Sequence, residues 1–129
     1  MFGDTQAFSG YSVQNIEAAR NFYGSMLGIH TVDQPGMGLE LHFPNGHRVF
    51  LYEKADHKPA DFTVLNFPVE NIDAAVDELT QKGIRFEHYD TLPVAQDDKG
   101  VLRGQSAGYG PDIAWFKDPS GNILSILQN

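Results

Sequence analysis

Cysteine is absent from the 129 residues. Its absence excludes disulfides, thiolate metal ligands and a cysteine nucleophile together. No apolar run approaches the roughly 20 residues that a bilayer-spanning helix needs, so no membrane association is expected. The opening Met1-Phe2-Gly3-Asp4-Thr5-Gln6 carries neither a basic nor an apolar stretch, so a secretory leader is not expected and a cytoplasmic location is. Positive charge is also scarce. Nine Lys and Arg stand against 17 Asp and Glu, for a formal net charge of −8. Such a surface repels phosphate backbones, so nucleic acid is not an expected partner, whereas a cationic ligand is tolerated. The remaining composition, 41% hydrophobic, suits one domain able to bury a core.

A repeat is present. Val13-Gln14-Asn15-Ile16-Glu17-Ala18-Ala19 recurs as Val69-Glu70-Asn71-Ile72-Asp73-Ala74-Ala75, a shift of 56 residues. A repeat of that size implies two copies of one supersecondary module. In each copy the asparagine is placed to cap a helix, and an acidic residue follows in the first turn, where the helix dipole favours it. The spacing predicts strands over residues 8–13, 29–33, 38–43 and 48–53 with a helix over 16–26 that stops at Gly28. It then predicts strands over 62–69, 84–89, 113–117 and 122–128 with a helix over 72–82. The modules are bounded at about 7–54 and 62–129, joined by a polar linker over 55–61. The polar stretch 91–104 reads as a long loop.

This order resembles the vicinal oxygen chelate superfamily, which includes glyoxalase I, bleomycin-resistance proteins and extradiol dioxygenases. The Phe22-Tyr23…Leu27-Gly28 helix end and the Phe116-Lys117-Asp118-Pro119-Ser120-Gly121-Asn122 turn carry the likeness. The resemblance implies an α+β fold of two βαβββ modules, with a U-shaped mixed sheet around a cavity and the helices on its outer face. It also implies a homodimer. Metal-dependent members place His, Gln or Glu at one position in the first and one in the last strand of each module. Those positions fall here on Phe8, Phe50, Val64 and Ser125. Phenyl and isopropyl groups have no lone pair, and a neutral hydroxyl is a weak ligand. No metal and no other cofactor is therefore expected, although glyoxalase and dioxygenase activities rest on a metal.

Strand alternation predicts which side chains face the cavity. Phe8, Phe50, Tyr52, Val64, Asn66, Trp115 and Ser125 point inward, together with Glu40 and His42, while Leu39, Leu41, Ala114 and Phe116 pack outward. Tyr109, in the glycine-rich stretch 104–111, is placed to cover a ligand. Three readings follow. The first is a protein that binds a small organic ligand, aromatic or cationic, in an apolar-aromatic cavity without a metal. The second is a metal-independent isomerase or lyase with Glu40 and His42 as acid and base. The third is a metal-dependent glyoxalase- or dioxygenase-type enzyme with unusual ligands. Whether the chain is an enzyme is left open at this point.

Overall fold

The structure is a computed structural model that describes all 129 residues. The chain forms two compact units, Met1–Pro59 and Ala60–Asn129. Each contains one four-stranded mixed sheet with helical segments, an α+β arrangement. No helix is long and apolar enough to cross a membrane.

The first unit contains strands β1 (Ser9–Val13), β2 (His30–Gln34), β3 (Gly38–His42) and β4 (Arg48–Glu53), in spatial order β1-β4-β3-β2. β1 runs parallel to β4, and the other pairs are antiparallel. Helix α1 (Ile16–Ala19) starts where the repeat placed it, with the Asn15 side chain accepting from the Ala18 N–H at 3.0 Å. The expected α-helix to residue 26 is not maintained. From Arg20 to Met26 the chain widens into a π-helix, in which Phe22 and Tyr23 are both buried with perpendicular rings 5.1 Å apart. Tyr11 of β1 reaches across to donate to the Tyr23 hydroxyl at 2.8 Å.

The second unit contains β5 (Thr63–Pro68), α2 (Ile72–Gln81), β6 (Leu102–Arg103), α3 (Gly104–Ala107), β7 (Asp112–Lys117) and β8 (Ile123–Gln128), with strands in the order β5-β8-β7-β6. Asn71 caps α2 as Asn15 caps α1, accepting from the Ala74 N–H at 3.0 Å. The shared asparagine of the repeat thus performs one local task twice.

Alternation assigns the two faces of each sheet as the sequence predicts. Val13, Leu39, Leu41, Val49 and Leu51 are fully or almost fully buried in the first unit, with Ala19, Phe22 and Tyr23. Ala114, Phe116, Leu124 and Ile126 do the same in the second, with Ile72 and Val76 of α2. Burying such aliphatic and aromatic side chains contributes about 1.5–3 kcal/mol each, which is why this face sets the register.

Two expectations fail in the second unit. Residues 84–89 do not form a strand. Only Phe86 makes a bridge, to Phe116, and the Glu87 N–H donates to the Trp115 carbonyl at 2.8 Å. The chain then leaves the sheet and returns as β6, opposite Asp112 and Ile113 of the same strand. The edge is shared between two short pieces, and residues 88–101 form a strap between them. Single-strand periodicity cannot show this, because the interruption depends on contacts made from residue 96 onward. The second failure is a register shift between Thr63 and Leu65, which takes Val64 out of regular pairing and puts Thr63 opposite Ile123. Thr63 thereby shares a face with Ser125 and Trp115.

Candidate functional site

On the face of the first sheet away from its helix, β3 presents Glu40 and His42, β4 presents Arg48, Phe50 and Tyr52, and β2 presents His30 and Gln34. Glycine keeps this face low beside Phe50. Gly10 lies opposite Phe50 in β1, and a Cβ on Gly38 would clash with the Leu51 carbonyl and come within 2.9 Å of Phe50 Cζ. The Phe50 and Tyr52 rings stack with centroids 6.2 Å apart and an interplanar angle of 21°.

An open pocket of about 580 Å³ is lined by Phe8, Phe50, Glu40, Arg48 and His47 among others. Phe8 precedes β1 and is 68% exposed, so its ring is available to a ligand rather than committed to a core. The His42 Nε2–H donates to Glu40 Oε1 at 2.9 Å, and Arg48 Nη1 lies 3.6 Å from the same oxygen. The bond from His42 is the main reason the Glu40 carboxyl sits below the usual carboxylate range; partial burial opposes it, and Gln34 and the Arg48 charge reinforce it. The pocket therefore combines two aromatic rings with a carboxylate that stays ionised at neutral pH. His42 does not line the pocket, but it holds the carboxylate in place, and its ring meets His30 edge-on with centroids 5.3 Å apart. Tyr52 also lies outside the pocket lining and acts through its stack on Phe50.

The residues that the family resemblance assigns to the four metal positions do not suit a metal. Phe8, Phe50 and Val64 offer no donor atom. Ser125 has one, but it is fully buried and donates to Asn66 Oδ1 at 2.5 Å. No cluster of three or more His, Cys, Asp or Glu side chains is disposed to hold a metal ion elsewhere. Glu40, His42 and His30 form a hydrogen-bonded pair beside a ring contact.

The remaining expected ligand contacts belong to the second unit. Trp115 donates from Nε1 to Thr63 Oγ1 at 3.2 Å, a partner supplied by the shifted register. Asn66 is exposed and takes up the Ser125 hydroxyl, so Ser125 has no free donor for a ligand. Tyr109 is 59% exposed on the turn after α3, its N–H bound to the Gly104 carbonyl at 2.8 Å. Val64 is partly buried at the bulge.

Sequence reasoning missed several residues. Arg48 and Gln34 share the pocket face and were within reach of simple alternation from Phe50 and Glu40. Tyr89 and Gln96 were not, because their roles depend on the strap. The Gln96 side chain takes the place of a strand partner, accepting the Tyr89 N–H at 2.7 Å and donating to the Glu87 and Gly100 carbonyls at 2.9 and 2.6 Å. Asp97 closes the strap, accepting from the Val101 N–H at 2.9 Å and from Arg103 Nε at 3.0 Å. Tyr89 packs edge-on against Trp115, with centroids 5.7 Å apart. Its hydroxyl is buried and makes no hydrogen bond, a cost of about 1–3 kcal/mol.

A family model described as Glyoxalase/Bleomycin resistance protein/Dioxygenase superfamily matches residues 7–126. No curated protein matches the chain. Among solved structures, the chain is similar to a glyoxalase/dioxygenase from Nostoc punctiforme, with 18% identity and a TM-score of 0.67 over 98% of this chain and 93% of that one. It is also similar to a superfamily member from Sphaerobacter thermophilus, with 23% identity, a TM-score of 0.65 and coverage of 97% and 98%. A third is TnmS3, an antibiotic binding protein from Streptomyces sp. CB03234, with 21% identity, a TM-score of 0.64 and 97% of both chains covered. At these identities the likeness is one of fold.

Proposed function

Because the chain belongs to the Glyoxalase/Bleomycin resistance protein/Dioxygenase superfamily, we propose that it binds a small aromatic, cationic organic molecule without the help of a metal. The observation that carries the reading is the pocket of the first unit, where an ionised Glu40, fixed by His42, lies beside the rings of Phe8 and Phe50. Flat apolar walls and one oriented charge are what a small cation with an aromatic body requires. The net charge of −8 adds a favourable long-range field. The four non-ligating side chains at the family's metal positions favour recognition by packing and charge alone. TnmS3, which shares the fold, is an antibiotic binding protein, and this supports binding of an organic molecule as a use of the fold.

The test compares 2-naphthylmethylamine, cationic at neutral pH, with neutral 2-naphthylmethanol by titration calorimetry on protein stripped with EDTA. The amine binds severalfold more tightly, Glu40→Gln removes that preference, and Phe50→Ala weakens both probes. Equal binding of the two probes, or a stoichiometric divalent metal required for either, refutes the reading.

The bond between His42 and Glu40 supports a second reading, an acid–base enzyme. By accepting the Nε2–H, the carboxylate fixes one tautomer and leaves Nδ1 as proton acceptor. His42 is the base in that scheme, because a carboxyl held below its usual range is a poor one. Loss of turnover in a correctly folded Glu40→Gln protein, with naphthylmethylamine selectivity unchanged, would separate this reading from the first.

A further inference from the structure

The second unit contains an unused donor. Tyr89 lines a cavity of about 550 Å³ together with His88, Asp90, Leu92, Val94, Ala95 and Gln96. Its hydroxyl is buried without a partner, and buried hydroxyls in folded proteins almost always have one. Asp90 to Val94 make no backbone hydrogen bond to the sheet, so this part of the strap is held through the Gln96 side chain. The hydroxyl is closed off from the open hollow, and reaching it requires the strap wall to part, which breaks no strand ladder. Burial, with the Glu87 charge adding to it, pushes the Tyr89 phenol up from its ordinary value. The group stays protonated at neutral pH and can donate. Glu87 is paired with Lys117 at 3.4 Å and lies outside the lining, so Asp90 is the one carboxylate on the wall, while Leu92, Val94 and Ala95 favour an apolar, uncharged body.

We propose that this cavity is a second binding site, distinct from the Glu40 pocket, that takes an uncharged carbonyl compound, with Tyr89 donating its hydrogen bond to the carbonyl oxygen. The unpaired hydroxyl is then the specificity determinant, and the free protein carries its cost until the ligand supplies an acceptor. The proposal does not depend on the reading of the first unit.

The test uses two probes of nearly the same shape, acetophenone, which has a carbonyl oxygen, and α-methylstyrene, which has a methylene in its place. Trp115 is the only tryptophan, and its indole N–H signal in a ¹H–¹⁵N spectrum reports from beside Tyr89. Wild-type protein prefers acetophenone by about tenfold, as expected for one hydrogen bond to a buried donor. In Tyr89→Phe this preference disappears, α-methylstyrene binds as before, and the thermal midpoint of the free protein is unchanged or higher. Equal affinity of the two probes for wild type, or binding of neither, overturns the proposal whatever the variant does. A Tyr89→Phe protein that melts earlier yet keeps its preference for acetophenone also overturns it, since the hydroxyl would then serve the fold alone.

Discussion

Replacing Arg103 with methionine tests how the strap is fastened to the second unit. The substitution keeps an unbranched apolar stem and removes the guanidinium. That group donates twice to Asp73 of α2, at 2.7 and 3.1 Å, and once to Asp97 of the strap, at 3.0 Å. Charge-assisted bonds of this kind stabilise by about 1.5–3 kcal/mol each when well buried. The Arg103 side chain is 34% exposed and that of Asp73 49%, so solvent reduces each pair to about 1 kcal/mol. Lys99, 3.4 Å from Asp73, stays behind to offset part of the loss. Arg103→Met should therefore destabilise the second unit by about 2 kcal/mol, or roughly 6–10 °C in thermal midpoint. Urea unfolding followed by Trp115 fluorescence reads this unit directly, because the only tryptophan lies within it. The pH dependence adds a second check. The bonds from Arg103 hold the Asp73 carboxyl below its ordinary value. At Asp97 burial acts upward but is outweighed by the Val101 N–H and Arg103. Groups with depressed folded values stabilise above the unfolded carboxylate range, and that stabilisation is lost as pH falls through the folded values. The gap between wild type and variant should thus be full at pH 7 and narrow below about pH 4. A deficit under about 0.5 kcal/mol at pH 7, or one that persists undiminished at pH 3, would refute this account.

Two further perturbations bear on the sheets. Gly38→Ala places a methyl against the Leu51 carbonyl and within 2.9 Å of Phe50 Cζ; it should cost about 1–3 kcal/mol and disturb the pocket wall, seen as faster amide exchange across β3 and β4. Ser125→Ala removes the 2.5 Å bond to Asn66 from a fully buried position; a loss of about 1 kcal/mol in urea unfolding is expected, because exposed Asn66 can turn to water, and a loss above about 3 kcal/mol would mean that the hydroxyl does more than this bond.

Much of the fold was legible because it is written locally. Asn15 and Asn71 announce their helices by capping chemistry that needs no tertiary contact. The alternation of Leu39-Glu40-Leu41-His42 separates a core face from a pocket face wherever pairing is regular. Glu40 was placed on the pocket face by that rule, Phe8 and Phe50 by the family resemblance, and the three line one pocket. What was not legible depends on partners distant in sequence. The bulge at Val64 is a property of β5 against β8 and has no signature in residues 62–69. The alternation of Ile84 and Phe86 with Arg85 and Glu87 promised a strand, but the Gln96 amide takes the bonds that a continuous edge would have made. The π-helical stretch after Ala19 was hidden in the same way, since Phe22 and Tyr23 fit a helical stripe whether the turn is narrow or wide.

The divided edge of the second sheet also governs how this chain can vary. The strap departs where Glu87 meets Trp115 and rejoins where Leu102 meets Ile113, two points on β7 only two residues apart. A segment whose ends are pinned so closely together can grow or shrink with little effect on the rest, because closing a loop of twice the length costs only about 0.6 kcal/mol more. Insertions between residues 90 and 95 should leave both sheets intact while reshaping the cavity walled by Leu92, Val94 and Ala95. The strap is thus the place where new ligand preferences could arise at little cost to folding.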